Sequence, residues 1–332
     1  CQDLNAAQTG VALKLAGSSG RVLGVGDRSQ AIFGFAGAKH DSFERLQEAL
    51  KAQVLPLSIC YRCPTRHIDL LNAVFEDSKI ESRDKAPDGV LRVKAEADLR
   101  ADLTPGDLVL CRRTSPLVSL CMRLIAAGIP AIVKGRNIGK QIADLADDLY
   151  KMPGFDYTQL HDAADRYQAE MFARYANRDN EEQLKEQLKD KLDALMSIYD
   201  AQPQIESLEG IKAYIDRLFS DDEQVGVVEM STCHRAKGLE AESVFLLQAD
   251  SMPMEWRNQA QWQLQQEMNL LYVALSRSTK SLTLVSNESI PWLPDELNWL
   301  EEDELTDEDV ESKFAEVRAA NIQALAASTP RS

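Results

Sequence analysis

Four short stretches of this sequence hold residue types that handle phosphate groups, each beside a strand-like or helix-like run. In VGDRSQAIFGF, residues 25–35, Gln30 follows a turn begun by Gly26 and Asp27, so its amide could sense a phosphate or orient a water. In CYRCPTR, residues 60–66, Arg62 lies between an apolar run and Pro64. A guanidinium fixed there could clamp a phosphate through its planar fork, or simply pair with an acid at the surface. The stretch STCHRAKGLEAESVF crowds His234, Arg235, Lys237, Gly238 and Glu240 into one turn, more chemistry than a connector of that length needs. Arg277, near the end of QQEMNLLYVALSRS, reads either as a helix-end cation that complements the macrodipole or as an arginine finger acting on a phosphoryl group. Cys60 and Cys63 make a CxxC, but no second pair or spaced histidines complete a zinc set, so no metal ligands are assigned.

Short β-branched runs at 21–26, 90–93, 107–112, 131–134, 226–232, 243–248 and 281–285 read as buried strands. Apolar positions at helical spacing over 41–52, 65–77, 115–127 and 263–277 read as the helices between them. Alternation of this kind implies an α/β fold, a parallel sheet with helices on both faces. From about 138 to 220 the alternation stops, and Glu- and Lys-rich stretches such as EEQLKEQLKDKLDALMSIYD suggest a helical insertion between two halves of one sheet. Ligands of open parallel sheets bind beyond the carboxyl ends of strands, so Gly26–Gln30, Tyr61–Arg62, Cys233–Glu240 and Arg277 are expected to converge.

A net charge of −16 excludes a protein that coats nucleic acid over its whole surface, while a local basic groove stays open. Much of the excess lies in EEDELTDEDVESK, residues 301–313, which reads as a solvated helix or tail. With 44% hydrophobic and 27% charged residues the composition is that of a globular protein, and no apolar run is long enough to cross a bilayer. Six cysteines in a chain of this length, without a leader, point to reduced thiols in the cytoplasm.

In the order GDRSQAIFGFAGA, YRCPTR, STCHRAKGLEAESVF and NLLYVALSRS, these stretches resemble motifs III, IV, V and VI of the superfamily 1 DNA helicases of the UvrD/Rep/PcrA type, over roughly residues 1–290. The family's second motif, Asp-Glu-x-Gln-Asp, has its tail in Cys1, Gln2 and Asp3, so the chain looks like a carboxyl-terminal piece. It would lack the phosphate-cradling loop (GxxxxGKS or GxxxxGKT) and the Asp-Glu pair that handles Mg²⁺.

The resemblance implies a RecA-like sheet of the P-loop NTPase type. Residues 1–52 would end the first RecA-like domain, 53–137 and 223–290 would form the two halves of the second, 138–222 the helical insertion and 291–332 an acidic tail. It also implies an ATP-dependent helicase that moves 3′ to 5′ on single-stranded DNA, with ATP and Mg²⁺ as cofactors and repair or replication proteins as further partners. The piece alone would be inactive. Position by position, Gln30 would link ATP state to DNA contact, and Tyr61 would pack on the adenine. Arg62 and Arg277 would grip the γ-phosphate. Glu240 would contact the ribose, with Gly238 beside it in the nucleotide-binding turn. Phe33 and Phe35 would stack on single-stranded bases, and His234 would face DNA. Phe35-Ala36-Gly37-Ala38 stands where the family usually has Trp-Arg-Gly-Ala, which removes one cation from the DNA track. The alternative is a non-catalytic helicase-derived module that binds single-stranded DNA or a repair partner.

Overall fold

The strand β4, Leu108–Cys111, shows why the sheet forms: all four of its residues are buried, two towards each face. Side chains alternate across a strand, so Leu108 and Leu110 join one apolar cluster, and Val109 and Cys111 join the other. The structure, a computed structural model, describes residues 1–17, 20–34, 42–75, 78–178, 180–222 and 224–294.

The chain opens with α1 (Ala6–Ala16) and α2 (Ser42–Leu50), then runs through β1 (Ile59–Cys60), α3 (Thr65–Val74), β2 (Glu81–Ser82), β3 (Val90–Lys94) and α4 (Leu99–Asp102). After β4 come α5 (Ser115–Ala126) and β5 (Ala131–Val133). Next lie α6 (Arg136–Tyr150), α7 (Leu160–Tyr175), α8 (Glu181–Ala201) and α9 (Leu208–Leu218). The chain then returns to the sheet with β6 (Val228–Thr232), β7 (Ala241–Leu247), α10 (Gln261–Leu275) and β8 (Ser278–Val285). The six-stranded sheet has the order β3-β8-β7-β4-β6-β5 and every pairing in it is parallel. One face packs on α5, α6, α8 and α9 through residues such as Leu117, Ile142, Leu195 and Ile215. The other packs on α3 and α10 through Ile68, Leu71, Leu270 and Leu271. The architecture is the mixed α/β, RecA-like one that the sequence implied.

His67 ties α3 to this sheet. Its Nε2 donates to the Val90 carbonyl at 2.9 Å, so its Nδ1 is free to accept from the Ser278 hydroxyl at 2.8 Å. Burial holds this imidazole below the usual histidine range, and it stays neutral.

Two expectations need correction. Residues 21–26 form no strand and are exposed, Leu23 at 88%. Among the described residues no strand pairs with them, and a lone strand has no ladder to join. Leu55 at 73% and Leu57 at 90% are exposed as well. The last helix stops at Leu275, before Arg277, because Ser276 caps it and β8 begins at Ser278. The acidic stretch 301–313 lies outside the described residues.

One contact fastens the inserted helices to the sheet unit. The Thr114 side chain does not cap α5; instead Asp190 of α8 accepts from the Thr114 amide at 2.8 Å and the Ser115 amide at 2.8 Å. These amides would otherwise be orphan donors, and the carboxylate also meets the positive end of the helix. Asp190→Ala is therefore expected to lower stability by about 1–3 kcal/mol in urea denaturation, with Asp190→Asn losing less.

Candidate functional site

The register of two strands assembles the first cluster. Ala241 pairs with Ser278 at the start of β7 and β8, so Glu240 and Arg277, each one residue earlier, come out side by side. The third member, Arg62, arrives from the turn between β1 and α3. Its Nε donates to Glu240 Oε2 at 2.7 Å and its Nη1 to the Ser276 carbonyl at 3.3 Å. Tyr61, next to it in the same turn, is 74% exposed. Gly238, at φ +95°, lets the chain turn into Glu240 with a backbone that L side chains rarely adopt.

Arg277 is only 1% exposed and folds back onto the end of α10. Its Nε donates to Val273 O at 2.7 Å, Nη2 to Ser276 Oγ at 2.6 Å and Nη1 to Leu239 O at 3.4 Å. Burial, reinforced by the neighbouring Arg62 charge, lowers its pKa to about 10, so it remains a cation at neutral pH. Its position is that of a helix-end cation. Two guanidinium groups thus crowd one edge of the sheet with Glu240 between them, an arrangement that favours a further anion.

The second group of residues runs along α10. Asp27 accepts from the Ser29 amide at 2.9 Å and from Gln30 Nε2 at 2.7 Å, closing the turn. Lys237 holds that turn from the other side. Its Nζ donates to Gln30 O at 2.7 Å and Asp3 Oδ2 at 2.6 Å, and lies 5.1 Å from the centre of the Phe33 ring, in cation–π range. Asn269, in the middle of α10, donates to Arg28 O at 3.1 Å and Ala31 O at 3.0 Å. Ile32 is buried, Phe33 half-buried, and Gly34 lies so close to α10 that a Cβ there would sit 1.7 Å from Gln266 Nε2. Phe35 falls outside the described residues.

The third group occupies the opposite edge of the sheet. Arg112, just past β4, forms a two-pronged pair with Glu267 of α10: Nε to Oε2 at 2.8 Å and Nη2 to Oε1 at 2.6 Å. Beside them His234 opens onto a groove of about 1120 Å³ between α8 and the segment leading into α10. Phe172, Trp256 and Trp262 give the groove aromatic walls. Five basic residues (Arg112, Arg113, Lys185, Lys189, Arg257) face five acids (Glu182, Glu186, Asp190, Glu255, Glu267), so its charge is balanced. Burial, with a smaller push from Arg112, lowers the His234 pKa to about 3.

The four segments therefore do not meet at one point. Because β6 and β7 are parallel, residues 233–240 must carry the chain from the carboxyl end of one to the amino end of the other. His234 stays at the first edge and Glu240 is delivered to the second, with Lys237 between. Asn269, Arg112 and Glu267 carried no sequence signal beyond a polar residue beside an apolar run, and Trp262 none beyond an aromatic in a glutamine-rich one. Only the packing of α10 gives them a site.

The family model of the UvrD-like helicase C-terminal domain matches residues 40–289, and that of the UvrD/REP helicase N-terminal domain matches residues 1–51. No curated protein matches the chain.

A neutral His234 has a consequence for acid stability. The unfolded chain takes up a proton near the ordinary histidine pKa of about 6.5, whereas the native chain does so only near about 3. Stability is therefore lost as pH falls through that window, by up to about 1.4 kcal/mol per pH unit from this group. In NMR titrations the His234 ring is expected to remain neutral down to about pH 5. His234→Gln should flatten the acid limb of melting temperature against pH. A His234 midpoint near the ordinary value would mean that the ring lies in solvent.

Proposed function

The chain belongs to the UvrD/Rep family of superfamily 1 helicases, and from that premise we propose that it serves an ATP-driven enzyme moving 3′ to 5′ on single-stranded DNA. The observation that carries the reading is the crowding of Arg62 and Arg277 around Glu240, beside the exposed ring of Tyr61. A triphosphate arriving there would give Arg62 a stronger partner than one carboxylate, through the same planar fork. Tyr61 offers a face for the adenine, Glu240 an acceptor for the ribose hydroxyls, and Gly238 the turn that presents it. Arg277 supplies its charge from beneath, held in place by backbone acceptors. Residues 1–52 would then close the first RecA-like domain, 53–137 and 223–290 would make the second, and 138–222 its inserted subdomain. The exposure of Val22, Leu23 and Val25, and of Leu55 and Leu57, supports this division, since such apolar side chains are ones that a larger sheet would cover.

The family works with ATP and Mg²⁺, and Mg²⁺ supplies charge neutralisation at the phosphates. Among the described residues no group of three or more His, Cys, Asp or Glu could hold a metal ion. What they do supply is a route for coupling. Gln30 O and Phe33 both touch Lys237, in the turn that ends at Glu240. Phe33, Phe35, His234 and the aromatic groove would form the track for bases, where stacking is worth about 1–3 kcal/mol per base and tolerates any sequence.

In the intact enzyme, Arg62→Ala is expected to lower kcat by about 10³–10⁵-fold while leaving the melting temperature nearly unchanged. Arg277→Ala should lower both, because the side chain is buried on three acceptors. Near-normal turnover in both variants would overturn the nucleotide reading and favour a non-catalytic module.

For the DNA track, Trp262→Ala should weaken binding of a fluorescent oligothymidine by about 1–3 kcal/mol per stacked base in anisotropy titrations. Because the groove is charge-balanced, that loss should barely change with salt. Unaltered affinity would remove the groove from the DNA path.

A further inference from the structure

Cys60 and Cys63 have no part in the activity proposed above, yet they bracket Tyr61 and Arg62. Cys60 closes β1, and Cys63 precedes Pro64 and α3, so the CxxC forms a single turn between a strand and a helix. The Cys63 amide donates to Cys60 Sγ at 3.4 Å, which draws the Cys60 sulfur back over the turn towards Cys63. Cys63 is buried and its thiol donates to the Ser276 carbonyl at 3.7 Å. That carbonyl also accepts from Arg62 Nη1, so the thiol and the guanidinium share one anchor at the end of α10.

The two sulfurs differ in character. Cys60 is partly exposed, and its side-chain pairing with Cys63 lowers its pKa to about 5. The Cys63 and Arg62 amides and the Arg62 charge add to this, against the opposing effect of burial. The same pairing, with burial, pushes the Cys63 thiol up. An accessible thiolate next to a protonated thiol is the pairing of a nucleophile with a resolving cysteine. Cys111 and Cys121 are buried and pushed up to about 12, and buried Cys233 is also raised, so these three are poor competitors.

We propose that Cys60 and Cys63 form a reversible disulfide that switches the nucleotide cluster off by releasing Arg62 from the end of α10. The proposal rests on the reading of Tyr61 and Arg62 as nucleotide ligands. With a hydroperoxide as oxidant, the Cys60 thiolate attacks one peroxide oxygen. An S–O bond forms, the O–O bond breaks, and hydroxide leaves, so that sulfur has lost two electrons and is a sulfenic acid. Cys63 sulfur then attacks Cys60 sulfur. The S–S bond forms, the S–O bond breaks, and the thiol proton and the hydroxyl leave as water. A dithiol reductant reverses the sequence by exchange. Since the Cys63 thiol proton is consumed, its hydrogen bond to Ser276 O is necessarily lost, and the turn carrying Arg62 loses one of its ties to α10.

The test has a chemical arm and a functional arm. After treatment of the chain with a modest excess of hydrogen peroxide, non-reducing peptide mass spectrometry should find a Cys60–Cys63 disulfide that dithiothreitol removes. Cys111, Cys121 and Cys233 should still alkylate once the protein is denatured. In Cys63→Ser, oxidation should stop at a Cys60 sulfenic acid trapped by dimedone. In the intact enzyme, peroxide should lower ATP turnover several-fold, dithiothreitol should restore it, and Cys60→Ser should turn over normally in either condition. Failure of the disulfide to form in a folded chain overturns the proposal. So does an oxidised enzyme that keeps its turnover. A reduced enzyme with no turnover would take the nucleotide reading down first, and the switch with it.

Discussion

A parallel sheet obliges every connection to bring the chain back to the edge it started from, and the layout of this protein follows from that obligation. The helix α10 and the turn 233–240 both make the return journey across the same face, from the edge where β4 and β6 end to the edge where β7 and β8 begin. Each therefore has chemistry at both ends. The turn starts at His234 and finishes at Glu240; the helix starts beside Trp262 and finishes against Arg277. A two-ended crossing piece of rigid backbone is a physical basis for communication between an anion-favouring edge and a groove, because displacing either end moves a single body.

The segment from Asp27 to Gly34 lies along that crossing. Its carbonyls are taken by Lys237 and Asn269, Ile32 is buried, and Gly34 fits only because it has no side chain. Its ties to the crossing elements go to the middle of the helix and the middle of the turn, where a shift at either end is felt. Lys237 takes the Gln30 carbonyl, and Phe33 lies against the same cation.

Burial decides the character of the charged residues more than their number does. Arg277 and Glu267 are buried and Arg112 is mostly so, and each is compensated by several fixed acceptors or by a two-pronged partner. Arg62 is held more loosely, by one exposed carboxylate and one carbonyl, and is the guanidinium free to exchange partners. Removing one member of a buried pair costs about 3–5 kcal/mol because the other charge is left behind, so the buried set is structural as well as chemical.

The β-branched runs and capped helices made the alternating α/β fold legible, since strands buried on both faces must be apolar throughout and their covering helices must carry an apolar stripe. Motif order made the family legible, and with it the expectation that Tyr61, Arg62, Glu240 and Arg277 handle nucleotide. The sequence was misleading at 21–26, where an apolar run reads as a strand whether or not a neighbour exists to pair with it. It was silent on Asn269, Glu267, Trp262 and Lys237 as partners, because their use depends on which elements α10 crosses, and a helix's own pattern does not encode its neighbours. The tertiary structure alone decided that the expected single site is divided between two edges. That division comes from strand direction, which is a property of the assembled sheet and of no individual segment.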